Sequence, residues 1–493
     1  MSKLFGTDGI RGIPGEHPFQ PGFLKKVGFV SASVILGAVR HCRQTGIKTH
    51  RASCGELPLV LMGRDSRNSG IAIGRVLAEG FRLAGCSVAD LGVIPTPAVS
   101  YLVPRHNADF GVVISASHNP PEFNGIKFFS CDGFKLDEKT EARIEAEILK
   151  LGMNLAALKL PDRKPGFASG VRGRDILSDM QRVRHRQAET LYIEFLKSTV
   201  PADIDFSGLK IVLDCANGAG WKTAPRVFRE LGAQIRVIGA SPDGRNINTG
   251  FGALETGAML METKRWGADC GISLDGDADR AVLADEKGVK LDGDDLMAMA
   301  ATELSAAGLL RKDMIAVTVM SNYGFFQHLK SMGVSVLQVP VGDRNVTRAI
   351  EEDDLSLGGE ASGHIIFREF APTGDGILTA IQIICLMKRA GRPLSWFRKR
   401  WVRYPQVLES LKVSSKPPLE EIPGFKAKLG VLERRLGGKG RIFVRYSGTE
   451  PLLRVLVEGP SRQLIDSVAG EIINCYKKRA FKRRTFHERK TRR

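Results

Sequence analysis

The chain runs to 493 residues, of which 43% are hydrophobic and 26% charged, with a formal net charge of +18. That length exceeds what a single core supports and indicates three or four domains, while the composition is that of an ordinary globular enzyme. The N-terminus lacks an apolar segment of signal-peptide length, and the longest uncharged apolar stretch, Ile377 to Met387, is far short of the roughly 20 residues a span needs, so a cytoplasmic protein with no membrane partner is expected.

In chain order, the first periodic segment is Pro21 to Arg40, where Phe23, Val27, Val30 and Val34 fall at helical spacing and predict a helix packed on a sheet. His41 to Leu57 reads as an exposed loop. Three later segments, 57–92, 209–239 and 314–340, share one plan of apolar strand, polar loop, helix and second strand. Their helices end RLAG, RELG and KSMG, each with glycine where a helix stops on a left-handed residue. Strand, helix, strand in that order implies right-handed crossovers in a parallel or mixed sheet. An irregular region at about 161–186, holding Pro, Gly and many Arg, reads as a linker. Beyond residue 400 the pattern changes. Lys439 to Gly459 holds two β-rich runs around a polar loop, and Leu464, Val468 and Ile472 or Ile473 stripe a helix over Ser461 to Lys477.

The expected fold class is α/β: three tandem similar α/β domains with mixed sheets plus a smaller C-terminal α+β domain. The expected divisions are 1–186, 187–300, 301–398 and 399–476, followed by a basic tail, 477–493. That tail holds ten Lys or Arg against one acid, Glu488. Such a tail reads as a solvated extension, and binding of nucleic acid would rest on it alone. The remaining charge suits an enzyme acting on phosphate dianions. Eight scattered cysteines with no C-x-x-C pair indicate neither a disulfide framework nor a zinc site. Nothing in the sequence indicates an oligomeric state.

Several stretches carry chemistry. In Gly111 to Phe129, Val112-Val113-Ile114 reads as a buried strand that stops at Ser115-Ala116-Ser117-His118-Asn119-Pro120. Two hydroxyls and an imidazole thus sit just past a strand end, where open α/β sheets bind ligands. Read alone, these are also ordinary turn residues. Lys127 follows among apolar neighbours, a costly place for a cation without a use.

Asp275-Gly276-Asp277-Ala278-Asp279-Arg280 sets three carboxylates at alternate positions. They would repel one another unless a cation lies between them, and hard oxygen ligands suit Mg²⁺. An EF-hand would use Asp275, Asp277, Asp279 and Glu286, but Arg280 occupies the position that needs glycine, and the flanks alternate like strands. Gly359 to His364, preceded by Val341-Gly342-Asp343-Arg344, groups Glu360, Ser362 and His364, which could read sugar hydroxyls or simply make a tight turn. Arg445 to Arg454 offers two guanidiniums, the hydroxyls of Ser447 and Thr449, and Gly448. That is a phosphate cradle by composition, with a plain hairpin turn as the alternative.

With Phe5-Gly6-Thr7-Asp8-Gly9-Ile10-Arg11-Gly12, these runs resemble, in the same order, the motifs of the α-D-phosphohexomutases. The similarity covers nearly the whole chain to about residue 476 and is nearest the bacterial phosphoglucosamine branch. The resemblance implies that Ser117 carries a phosphoryl group. It implies that Asp275, Asp277 and Asp279 hold Mg²⁺ with a phosphoserine oxygen of Ser117, and that Arg11 and Arg280 lie beside the transferring phosphate. Glu360 and Ser362 would contact ring hydroxyls. Arg445, Ser447, Gly448, Thr449 and Arg454 would grip the phosphate not in transfer. Lys127 and His364, with His118 third, are the candidate base and acid.

The implied reaction is interconversion of glucosamine 6-phosphate and glucosamine 1-phosphate through a 1,6-bisphosphate, with glucose or mannose phosphates as the alternative substrates. Ala361 stands where that branch usually has Gln, and Phe251-Gly252-Ala253 where a Cys-Gly-Ser run is common. Gly63-Arg64-Asp65-Ser66-Arg67 also matches a family segment, and no catalytic role is assigned to it.

Overall fold

The computed structural model describes residues 4–6, 8–44, 57–151, 176–447 and 451–490, within which four sheets form. The first holds β1 (Ile10–Gly12), β2 (Leu59–Arg64), β3 (Ser87–Val93), β4 (Phe110–Ile114) and β5 (Asn124–Phe129) in the order β1-β5-β4-β2-β3. The second repeats the last four places of that order with β6 (Lys210–Asp214), β7 (Gln234–Ile238), β8 (Cys270–Leu274), β9 (Ala281–Ala284) and β10 (Lys290–Leu291), as β10-β9-β8-β6-β7, its edge strand β10 coming last in the chain where β1 comes first. The third is shorter, β12-β11-β13-β14, from β11 (Met314–Thr318), β12 (Ser335–Val339), β13 (Leu357–Gly359) and β14 (Ile365–Phe367). All three are mixed: the β2–β4, β6–β8 and β11–β13 pairs are parallel, and the strand that follows each, β5, β9 or β14, returns antiparallel. The fourth is an antiparallel three-stranded sheet of β15 (Gln406–Lys412), β16 (Arg441–Tyr446) and β17 (Leu452–Glu458).

The glycine punctuation holds at the end of each repeat helix: Gly85, Gly232 and Gly333 have φ of 84°, 98° and 78°. The helix Pro21–Gln44 lies on the first sheet, and Leu24, Val27 and Val30 join Val60, Phe110, Val112 and Ile126 in one apolar core. Its Pro21–Ala38 part is apolar and long enough to cross a membrane by composition, and half of it is buried within the protein.

Three expectations change. Residues 176–186, read as part of a linker, are the start of a helix, Ile176–Ser198, while 161–175 lie outside the described residues. The last helix, expected to stop at Lys477, runs from Arg462 to Lys490, so the basic tail continues it. Arginine and lysine have good helix propensity, and a charge run conceals it from periodicity. The expected loop 41–57 is helical to Gln44, and 45–56 lie outside the described residues.

The chain divides into two compact units, residues 1–320 with 334–398, and residues 321–333 with 399–493. The helix Tyr323–Ser331 between β11 and β12 therefore groups with the fourth sheet, where Asn322 and Tyr323 N–H both donate to the buried carboxylate of Glu458.

Candidate active site

β4 is wholly buried and delivers its chain into the loop that carries Ser117. Ser117 has no exposed surface and sits at φ 51°, a left-handed conformation that a non-glycine residue holds only when its surroundings impose it. Arg67 does much of the imposing. Its guanidinium, itself buried, donates to the carbonyls of Ser117 at 3.0 Å, Asn119 at 2.8 Å and Phe123 at 3.0 Å, and also to that of Pro120. Asn248 adds bonds to the same Ser117 and Asn119 carbonyls at 2.9 and 3.0 Å. Asp65 accepts from Arg67 Nε and from Ser115 Oγ, and that hydroxyl accepts from the Ser117 N–H at 2.9 Å. The Gly63–Arg67 segment, assigned no catalytic role from sequence, has a structural one: its Asp65 and Arg67 are the scaffold of the serine loop. Asn248 carried no sequence signal at all.

β8 and β9 flank the acidic triplet, as the strand-like alternation predicts and as an EF-hand would not. Asp275, Asp277 and Asp279 are buried, with ligand oxygens all within 4.8 Å of one another. Ser117 Oγ donates to Asp275 Oδ2 at 2.6 Å. Burial, then the charges of Asp279 and Asp277, push the Asp275 carboxyl well above its usual range. Oδ1 of Asp277 and Oδ1 of Asp279 are buried without a hydrogen-bond partner. Crowded carboxylates with orphaned oxygens fit a hard divalent cation.

Around the triplet, acidic and basic side chains alternate in a closed ring. Lys127, in β5, contacts Asp279 at 3.3 Å, Asp277 at 2.9 Å and Asp8 at 3.0 Å. Asp8 also accepts from Lys135 at 2.6 Å, Lys135 pairs with Asp343, and Asp343 lies 3.9 Å from His364 Nε2. His364 Nδ1, 3.8 Å from Asp279, closes the circuit. Burial opposes the charge on Lys127, but Asp277, Asp8 and Asp279 outweigh it and hold its proton well above the usual lysine range. His364 Nε2 accepts from Gly374 N at 3.3 Å, which leaves the ring hydrogen on Nδ1; burial resists a second proton, while Asp279 and Asp343 favour one. His118 differs: burial and the cations Arg280 and Arg11 push it down to about 4, so it is neutral at pH 7, with Nδ1 3.3 Å from Ser117 Oγ. Arg11 is fixed by Asp8 at 2.6 Å and by Asn119 Oδ1 at 2.9 Å.

On the third sheet, Glu360 begins the loop between β13 and β14, accepting from Gly342 N at 3.0 Å and Ser362 Oγ at 3.3 Å. Its charge reaches Arg280, whose charge Asp279, Asp275 and Glu360 hold in place against burial. The structure therefore gathers Ser117, His118, Lys127, Arg11, Asp275, Asp277, Asp279, Arg280 and His364 in one cluster, with Glu360 and Ser362 on its border. The residues expected to form the phosphate cradle belong to the second unit. There Arg445 and Arg454 face each other across β16 and β17; burial and the Arg454 charge lower the Arg445 pKa, and Lys416 Nζ donates to the Ser447 carbonyl at 2.5 Å. Paired guanidiniums on one sheet suit an anion. Gly448 and Thr449 lie outside the described residues.

Family models of the phosphoglucomutase/phosphomannomutase domains match in order: alpha/beta/alpha domain I over residues 2–154, II over 190–288, III over 292–404 and the C-terminal domain over 408–474. Among relatives, the phosphoglucosamine mutase of Geotalea daltonii is 41% identical over 479 residues, covering 97% of this chain and 98% of that protein. The phosphoglucosamine mutase of Pelobacter propionicus is 40% identical over 478 residues, covering 97% and 99%. Among solved structures, a phosphoglucomutase/phosphomannomutase family protein from Burkholderia thailandensis superimposes with a TM-score of 0.73 at 20% identity, covering 97% of this chain and 98% of that one. The Aspergillus fumigatus N-acetylphosphoglucosamine mutase in complex with GlcNAc-6P and magnesium has a TM-score of 0.56 at 20% identity, covering 77% and 92%. With four domain models in sequence and relatives aligned almost end to end, the chain belongs to the phosphoglucomutase/phosphomannomutase family of α-D-phosphohexomutases.

Proposed function

We propose that this protein is a phosphoglucosamine mutase, interconverting glucosamine 6-phosphate and glucosamine 1-phosphate through a phosphoserine at Ser117 and a 1,6-bisphosphate intermediate. The observation that carries the reading is the enclosed Ser117 hydroxyl, 2.6 Å from the first of three crowded carboxylates, in a chain about 40% identical to phosphoglucosamine mutases over nearly its whole length. The phosphoryl on Ser117 passes to the free sugar hydroxyl: a sugar O–P bond forms, the serine O–P bond breaks, and the hydroxyl proton leaves to a base. After the bisphosphate turns round, the other phosphate returns to Ser117 by the reverse steps.

Phosphoryl transfer asks chiefly for alignment and offset of charge. Arg11 and Arg280 supply fixed cations, and Ser117, with no exposed surface, keeps the phosphoserine away from hydrolytic water. Asp275, Asp277, Asp279 and a phosphoserine oxygen would hold Mg²⁺, which when bound neutralises charge on the transferring group. The three proton carriers divide by place. Neutral His118 stands on the serine side, where it takes the proton when Ser117 attacks and returns it when Ser117 leaves; Lys127 and His364, both against Asp279, serve the sugar side. Glu360 and Ser362 orient the ring hydroxyls, and Arg445, Ser447, Gly448, Thr449 and Arg454 hold the distal phosphate. The divisions 1–186, 187–300, 301–398 and 399–476 are the working lobes, and the protein acts in the cytoplasm.

Assays on glucosamine, glucose and mannose phosphates test the substrate, with turnover highest on the amino sugar. Intact mass should find one phosphate, located on Ser117, and Ser117→Ala should lose it together with all turnover. Preference for glucose or mannose phosphates, or an undiminished rate in the Ser117→Ala variant, would overturn the assignment.

A further inference from the structure

The acidic loop is held from outside by the first residues of two helices. Thr96 opens the helix Thr96–Arg105, and its N–H and Oγ1 donate to the Asp277 carbonyl and Oδ2 at 3.0 and 2.7 Å. Gly376 opens the helix Gly376–Ala390, and its N–H donates at 3.0 Å to the carbonyl of Ala278, the residue at φ 60° between Asp277 and Asp279. A Cβ on Gly376 would stand 2.3 Å from the Arg280 carbonyl, so the helix start and the acidic loop touch main chain to main chain. Both helices rest against a third, Ile176–Ser198, in the stretch between β5 and β6. On the first the contact is apolar, Tyr101 stacking on Phe195 with ring centroids 4.0 Å apart. On the second it is polar. The Tyr192 hydroxyl donates to Asp375 Oδ2 at 2.5 Å, and Asp375 Oδ1 accepts from the N–H groups of Ile377 and Leu378, both at 3.0 Å.

Asp375 is therefore the cap of the helix whose first N–H fixes the Ala278 carbonyl. Both Tyr192 and Asp375 are buried, and a buried carboxylate keeps its place only while its oxygens are satisfied. Burial pushes the Asp375 carboxyl up to about 6, against the donors Leu378 N–H, Tyr192 and Ile377 N–H that favour its charge. Without the phenol, Oδ2 loses its donor, the carboxylate turns or takes a proton, and the first turn of the helix loosens. Gly376 N–H lies in that turn, so the aim of the Ala278 carbonyl, and of the carboxylates on either side of it, goes with it. We propose, on the metal reading of the triplet given above, that Tyr192 is a positioning residue for the divalent ion: through Asp375 and Gly376 it sets the backbone between Asp277 and Asp279 so that their carboxylates stand ready for the cation. Neither Tyr192 nor Asp375 touches the ion or the reacting atoms. Their effect is on affinity for the cation rather than on the chemical step once it is bound.

The test titrates full-length protein, stripped of metal and matched for phosphate by intact mass, with Mn²⁺ alone, reading free Mn²⁺ by electron paramagnetic resonance. Wild type is compared with Tyr192→Phe, Asp375→Asn and the double variant. Each single variant should bind Mn²⁺ about tenfold more weakly, while turnover at saturating Mg²⁺ stays within about threefold. The double variant should bind no more weakly than Asp375→Asn, since the hydroxyl acts through the carboxylate. Thermal midpoints with and without Mn²⁺ separate positioning from general stability: a purely structural role lowers both midpoints and leaves the metal-induced rise as it was, whereas positioning shrinks that rise. Unchanged Mn²⁺ affinity in folded Tyr192→Phe, or penalties that multiply in the double variant, overturns the proposal. Should Asp375→Asn fail to fold, Tyr192→Phe, which removes a single oxygen, decides by itself. A wild type that takes up no Mn²⁺, or an Asp277→Asn variant that takes it up equally well, would overturn the metal reading and the proposal with it.

Discussion

At the scale of single residues, the site is built on a backbone conformation that Ser117 does not favour, and Arg67 holds it there with bonds to four carbonyls. Arg67→Met takes their guanidinium donor from the Pro120 and Phe123 carbonyls, reduces those of Ser117 and Asn119 to their Asn248 bonds and removes the cation beside buried Asp65, so a loss of about 3–5 kcal/mol in denaturant unfolding is expected, with turnover falling by a further factor of about 10² or more in the protein that remains folded. Equal stability of the variant and wild type would rule that out. Ser117, Lys127 and the aspartate triplet were legible because polar groups stood in apolar runs or charges crowded one turn. Arg67 was not, since what it binds is main chain about 50 residues away. Main-chain partners leave no trace in composition or spacing.

At the scale of elements, strand ends set the chemistry, and β6 shows it outside the serine loop. Asp214 closes that strand and accepts from Ala216 N at 2.9 Å, Gly252 N at 2.6 Å and Ser273 Oγ at 2.9 Å, while burial pushes its carboxyl up to about 6. Its folded pKa lies above the unfolded one, so the native state binds this proton more tightly. This group's contribution to stability therefore falls as pH rises from about 4 to about 6, by roughly 3 kcal/mol, and is flat above that. Denaturation midpoints of wild type relative to Asp214→Asn, taken from pH 4 to 7.5, should show that slope; a constant difference would contradict it. The repeats of strand, loop and helix were legible from apolar runs ending on Gly85, Gly232 and Gly333. The helices over 176–186 and beyond Lys477 were not: Ile176, Met180 and Val183 keep helical spacing but directly follow a Pro-, Gly- and Arg-rich run that reads as a linker, and the charge of the tail hides its helix from the apolar period.

For the whole molecule, the clustered carboxylates and cations come from three sheets, and the proposed function adds a divalent ion to their balance. Prolonged chelation should abolish turnover and Mg²⁺ should restore it, with metal content followed by elemental analysis; full activity in metal-free protein would refute the assignment of the triplet. The proposed function assigns the basic end of the last helix no catalytic part. Removal of residues 477–493, just past Tyr476, the last buried side chain described there, should leave turnover within about twofold, while a large loss would tie the tail to catalysis. The four-sheet plan was legible in the sequence as a sum of local patterns. The charged contact of Glu141 with Arg344 was not, because each looks like a surface residue on an ordinary helix.

The serine loop and the acidic loop touch at their backbones: a Cβ on Gly276 would stand 2.5 Å from the Ser117 carbonyl. Thr96 N–H and Oγ1 reach Asp277 at 3.0 and 2.7 Å in the same junction. Modules joined this way are inherited as a couple. A hybrid enzyme spliced from two relatives near residue 186 would force unmatched surfaces together there, so gene shuffling across the family should yield few working recombinants with breakpoints between the two loops.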